Sequence, residues 1–129
     1  MKDELKYSFG KLKDAVNKLD EGINKAKDQL DQDGVIQRFE FTFELLWKAL
    51  KLFLTDEGIV TKSPKEALKE AFRFGLIKDE NIFLDMLEDR NQTSHIYSED
   101  ASKKIFERIK RKYLNEIKNV QEELSERIS

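Results

Sequence analysis

The sequence predicts an all-α fold: an antiparallel up-and-down four-helix bundle with an additional short helix, dimerising through one of its long helices. Three observations support this. Apolar residues recur every three or four positions through almost the whole chain. No segment shows the strict alternation of a half-buried strand. One segment is apolar on two faces at once, more than a small monomer readily covers. A length of 129 residues with no low-complexity linker suits one domain, 1–129.

The first helix carries Leu5, Phe9, Leu12, Val16, Leu19, Ile23, Ala26 and Leu30 in alternating steps of four and three, with Asp33-Gly34 expected to end it. The second, "VIQRFEFTFELLWKALKLFL", places Ile36, Phe39, Phe43, Leu46, Leu50 and Phe53 on one face. Phe41, Leu45 and Leu52 lie roughly opposite, and such a second face is expected to meet another subunit. Trp47 is expected to pack in the core. Gly58 suits a left-handed cap at the end of that helix. "SPKE" then opens a short third helix, with Ser63 as cap, Pro64 in the first turn and Glu66 completing a capping box. It holds Ala67, Leu68, Ala71 and Phe72 and stops at Gly75. Asp79 caps the fourth helix and Ser98 a fifth, which buries Ile105, Ile109, Tyr113, Ile117, Val120 and Leu124.

Composition removes several function classes. Hydrophobic and charged residues each make up 39%, which gives every helix one thin apolar stripe and a solvated remainder. Lys plus Arg is 24 against 26 Asp plus Glu, a net charge of −2, so any contact with RNA must be local. With no cysteine and one histidine, neither disulfides nor a thiolate or His-rich metal site is expected, and no metal or cofactor is assigned. Without an apolar run of membrane length, no membrane association and a cytoplasmic location are expected. "RIKRKY" at 108–113 is a basic run with a tyrosine, but the glutamates around it make a solvated helix face the simpler expectation.

The chemistry-bearing stretch is "EDRNQTSHIY", residues 88–97. The buried stripe of the fourth helix begins with Phe83, Met86 and Leu87 and continues onto Arg90, Ser94 and Tyr97. Arg90 can bind a phosphate bidentately, the His95 imidazole can move a proton, and Asn91 can orient either. Tyr97 offers a hydroxyl. On a regular helix Arg90 and His95 stand about 140° apart. Three arrangements remain open: a distorted helix, a groove approached from opposite sides, or a composite site across a twofold axis. An arginine and a histidine with no metal cluster suit phosphodiester cleavage with the ribose 2′-hydroxyl as nucleophile. They can equally serve as interhelical hydrogen-bonding residues.

"RNQTSH" resembles the signature of HEPN domains (higher eukaryotes and prokaryotes nucleotide-binding), and with "IY" it matches the R-x4-H-x-Y form of HepT-like proteins. "QRFEFTFELLWKALK" is similar to the nucleotidyltransferase substrate-binding proteins of that superfamily. The resemblance implies a homodimeric bundle working beside a separately encoded minimal nucleotidyltransferase, as its substrate-binding subunit and the toxin half of a toxin–antitoxin pair. Carried over by position, Arg90 stabilises the scissile phosphate, His95 is the acid–base group, Asn91 assists, and Tyr97 contacts substrate or accepts AMP. Phe41 and Leu45 meet the twin or the transferase, with Arg38 and Thr42 at the rim of that contact. RNA or a nucleotide is the implied ligand. The alternatives are a metal-independent endoribonuclease active by itself and a non-catalytic helical interaction module.

Overall fold

A computed structural model describes residues 2–95 and 98–128. The helices are α1 (Lys2–Lys25), α2 (Gln29–Asp56), α3 (Pro64–Phe74), α4 (Glu80–Gln92), α5 (Glu99–Arg108) and α6 (Leu114–Ile128). A 3-10 turn, Thr93–His95, ends α4, and a π-helical segment, Ile109–Tyr113, joins α5 to α6 in one continuous rod. There is no strand among the described residues, and none of the helices there is long and apolar enough to cross a membrane.

Most helix ends lie where the capping residues put them. Ser63 accepts from the Glu66 amide at 3.1 Å while the Glu66 carboxylate accepts from the Lys62 amide at 3.1 Å. Asp79 and Ser98 accept from the amides three residues on, at Ile82 and Ala101. Gly58 and Gly75 take positive φ past the ends of α2 and α3, where a side chain would clash with the backbone.

The first boundary differs from expectation. α1 ends at Lys25, and α2 begins at Gln29 and passes straight through Asp33-Gly34. Two bonds decide this: Asp28 accepts from the Asp31 amide, and the Asp31 carboxylate accepts from the Lys27 amide, each at 2.9 Å. Together they start a new helix inside what reads as one seam. Leu5, Leu12, Val16, Leu19 and Ile23 are buried as the seam requires, whereas Leu30, beyond the break, is 79% exposed.

Side-chain pairings fix the topology. Thr42 meets Ala15 and Arg38 meets Lys18, so α2 runs antiparallel to α1. Glu44 meets Arg90, while Glu40 and Thr93 line one cleft, so α4 runs back along α2. Gln29 meets Ser102 and Phe39 stacks on Tyr113 at 5.5 Å, so the last rod runs parallel to α2. An Asp20–Lys118 ion pair at 2.7 Å helps join α6 to α1. The result is the up-down-up-down bundle, with α3 packed on α2 and α4. Its centre is fully buried and includes Leu12, Leu19, Phe39, Phe43, Leu46, Leu50, Phe83, Met86 and Ile117.

The two faces of α2 are unequal. Leu45, Leu52 and Trp47 are half-buried against the chain's own core, and only Phe41 stands out, 63% exposed. Thr42 is a correction: it is fully buried between α1 and α2, its hydroxyl bonding the Arg38 carbonyl at 2.7 Å, so it cannot rim a partner contact. Arg38 crosses α1 beside the bare backbone of Gly22 and donates to the Lys18 carbonyl at 2.6 Å.

The last rod buries Ile105, Ile109, Tyr113 and Ile117 at three successive intervals of four. At 3.6 residues per turn each such interval drifts about 40°, so a regular helix would carry the row off the core. The π-helical segment absorbs the surplus and keeps the row inward. It also aims Tyr113 at Asp89 of α4. Arg108 grips the Asp89 carboxylate through Nε and Nη2, both at 2.8 Å, and the Tyr113 hydroxyl donates a short bond to the same carboxylate. Thus the basic run is divided: Arg108 and Tyr113 turn inward, and Lys110, Arg111 and Lys112 stay in solvent.

This packing makes two outcomes measurable. Gly34 lies mid-helix without positive φ, and a Cβ there meets nothing within 4 Å. Gly34→Ala should stabilise by about 0.5–1 kcal/mol; a lower urea midpoint would contradict a continuous α2. Burial, then the Asp89 carboxylate, raises the Tyr113 pKa above its ordinary value. A folded-state pKa above the unfolded one adds stability that is complete below about pH 10 and is lost as pH rises beyond it. Tyr113→Phe should therefore be less stable at pH 8, by about 1.5–3 kcal/mol for a bond to a charged group, and show a shallower alkaline loss. Equal slopes in paired urea titrations at pH 8 to 11 would refute this.

Candidate functional site

Arg90 and Asn91 occupy the last turn of α4, where the chain tightens. The Thr93 hydroxyl bonds the Arg90 carbonyl at 2.7 Å, and residues 93–95 wind as a 3-10 turn. A 3-10 turn advances about 120° per residue instead of about 100°. His95 therefore sits roughly 200° around the axis from Arg90, and the distortion drives the two apart. The contacts agree. Arg90 Nη2 pairs with Glu44 of α2 at 2.5 Å, and its Nη1 donates to Asn91 Oδ1 at 3.2 Å. Glu44 in turn faces Lys48 at 3.6 Å.

His95 points elsewhere. It is exposed and makes no hydrogen bond or ion pair among the described residues. With Asp89, Gln92, Ser98, Lys104 and Arg108 it lines a cleft of about 390 Å3 between the turn and α5. Arg90 is not in that cleft. Across the same turn lies a second cleft, about 360 Å3, whose walls include Asp33, Glu40, Glu99 and Ser102. There the Ser102 hydroxyl donates to Asp33 at 2.9 Å, and Gln29 donates to both, which ties the start of α2 to α5.

Among the described residues no three His, Cys, Asp or Glu side chains gather as a metal ion would require. The chemistry available among the described residues is thus divided. One side of α4 offers an arginine held by a carboxylate, and the other offers an imidazole unpaired among the described residues, in a cleft that Lys104 and Arg108 also line. Tyr97 lies outside the described residues.

Local periodicity places Tyr113 in the core without its polar role, and it misses three further residues that shape this site: Glu44, Asp89 and Arg108. Hydrogen bonding to Asp89 holds the Arg108 pKa above the usual guanidinium value. The only sequence signal was an aspartate three residues past the buried Met86, on a helix whose facing rod carries an arginine and a tyrosine five apart.

Comparison with known proteins gives the site a context. Residues 5–126 match the family model described as nucleotidyltransferase substrate binding protein like. The chain is 37% identical over 81 residues to the protein named Probable ribonuclease HepT of Haemophilus influenzae, a match covering 59% of this chain and 56% of that one. A crystal structure from Thermus thermophilus superposes with a TM-score of 0.76 at 33% identity, covering 91% of this chain and 98% of the other. A Haemophilus influenzae structure, described as revealing the fold of a substrate binding domain of a nucleotidyltransferase, gives a TM-score of 0.70 at 28% identity over 97% and 99% of the two chains. With its helical architecture and a family match over nearly its whole length, this chain belongs to the nucleotidyltransferase substrate-binding protein-like family.

Proposed function

We propose that the chain is the partner subunit of a separately encoded minimal nucleotidyltransferase, and that as a homodimer it cleaves RNA without a metal ion, serving as the toxin half of a toxin–antitoxin pair. The observation that carries this reading is His95, an imidazole without a partner among the described residues, on a tight turn and lining a cleft with Lys104 and Arg108. Similarity to a protein named as a ribonuclease supports it.

In this reading His95 takes the proton of a ribose 2′-hydroxyl as that oxygen attacks the adjacent phosphorus. The bond from phosphorus to the 5′-oxygen breaks, and that oxygen leaves with a proton from solvent. The products are a 2′,3′-cyclic phosphate and a 5′-hydroxyl. Arg90, once released from Glu44, stabilises the charge on the phosphate oxygens, and Asn91 orients it. Because Arg90 and His95 leave α4 on opposite sides, the proposed site takes Arg90 from one protomer and His95 from its twin. Phe41 and Leu45 are the proposed apolar contact with the twin or the transferase. AMP attached to Tyr97 would put a negative charge two residues from His95 and repel the strand.

A second reading, a non-catalytic subunit that presents a nucleotide to the transferase, is favoured by the Glu44–Arg90 pair. That pair leaves the arginine neutralised and outside the His95 cleft.

Cleavage of an RNA panel in EDTA separates the two. On the ribonuclease reading, His95→Ala loses about 10²–10⁴-fold in rate, while the exposed position keeps stability within about 0.5 kcal/mol. Full activity in the variant, or none in folded wild-type protein, sinks that reading; a stable transferase complex without cleavage supports the second. Mixing Arg90→Ala with His95→Ala protein tests the shared site. Random exchange should restore about a quarter of wild-type activity, since half the dimers are mixed and each holds one intact site. No recovery after verified exchange would place both groups on one protomer.

A further inference from the structure

The two clefts on either side of the Thr93–His95 turn share Ser98 but carry opposite charge. The His95 cleft sets Lys104 and Arg108 against the single carboxylate of Asp89, which Arg108 and Tyr113 already occupy. Lys104 is exposed and in no ion pair among the described residues, so its ammonium is the uncommitted charge there. The other cleft sets Asp33, Glu40 and Glu99 against no cation. A polyanion passing the turn meets one free positive charge in the His95 cleft and three negative charges in the cleft between α2 and α5. Overall charge cannot make this choice, since the chain as a whole is at −2.

We propose that single-stranded RNA crosses this end of the bundle through the His95 cleft only, with a backbone phosphate seated on Lys104 beside His95, and that Asp33, Glu40 and Glu99 exclude it from the opposite cleft. The inference rests on reading the chain as one that engages RNA, and deepens that reading by naming the strand's path and a binding residue outside the motif. Lys104 binds and positions substrate; it takes no part in proton transfer. A phosphate contact of this kind sets affinity and its salt dependence, not sequence preference.

The test uses the full chain and a fluorescein-labelled single-stranded RNA with 2′-O-methyl riboses, which cannot be cleaved by 2′-hydroxyl attack. Binding is followed by anisotropy from 50 to 300 mM salt. Lys104→Ala should weaken binding about five- to tenfold at 50 mM salt and flatten the slope of log affinity against log salt by about 0.7, the loss of one phosphate contact on a single strand. Lys104→Arg should restore both. Lys103→Ala removes an exposed charge of the same helix that lines neither cleft, and it should leave the slope unchanged. No binding by the wild type, a wild-type slope in Lys104→Ala, or an equal loss in Lys103→Ala overturns the proposal. Binding with the expected slopes but no cleavage of unmodified RNA leaves the path standing and sinks the ribonuclease reading alone.

Discussion

Asp89 is a carboxylate with a side chain only 14% exposed, wedged between α4 and the last rod, and a charge in that position must be fully paired. Arg108 meets both of its oxygens and Tyr113 adds a third bond to one of them. Everything at the site end depends on that clasp. It fixes the last turn of α4 against α5, and so fixes where the chain has to reverse between Gln92 and Ser98. It also decides which charges are left over: with Arg108 engaged, Lys104 is the cation that faces solvent beside His95. Replacing one partner would leave a desolvated charge without compensation, which is why the clasp acts as a unit.

The same clasp explains the irregular last helix. Tyr113 must serve two neighbours, stacking its ring on Phe39 while its hydroxyl reaches Asp89. A regular helix that holds Ile105 inward would rotate residue 113 away by two intervals of drift. The π-helical segment removes that conflict at the cost of local helix geometry, and the core and the polar clasp are then satisfied together. Meanwhile α2 acts as the spine against which the other helices register, its inner face burying Phe39, Phe43, Leu46 and Leu50 completely.

Much of the fold was legible because it rests on local rules. The seam of α1, the inner face of α2, the Ser63, Asp79 and Ser98 caps and the two glycine ends all follow from spacing and from which residues can bond their own backbone. Failures came where a local rule had a competitor. Asp28 and Asp31 outweighed the continuing heptad at Leu30, and a glycine inside a helix cost too little to stop α2. Thr42 looked like a rim residue because a threonine in a helix can hide its hydroxyl on its own backbone, four residues back. At the site the residue types were legible and the pairings were not. Nothing in the sequence around Arg90 indicates Glu44 as its partner, because that choice is made by the packing of α2 on α4.

The separation of Arg90 from His95 has a physical consequence for how such a site can be controlled. The arginine is held by Glu44 in a partly exposed ion pair, and pairs of that kind contribute little and exchange readily with solvent. A phosphate offers the guanidinium a bidentate partner of higher charge, so the pair can open to substrate without disturbing the bundle. The Asp89–Arg108 pair is more buried, braced by a third group, and has no such freedom. Two arginines on adjoining surfaces are thus held differently: one is locked against α4, and the other sits in a pair it can leave. Arg90 and His95 thus stand on different surfaces, and only a rearrangement or a second copy of the chain could bring them to one phosphate.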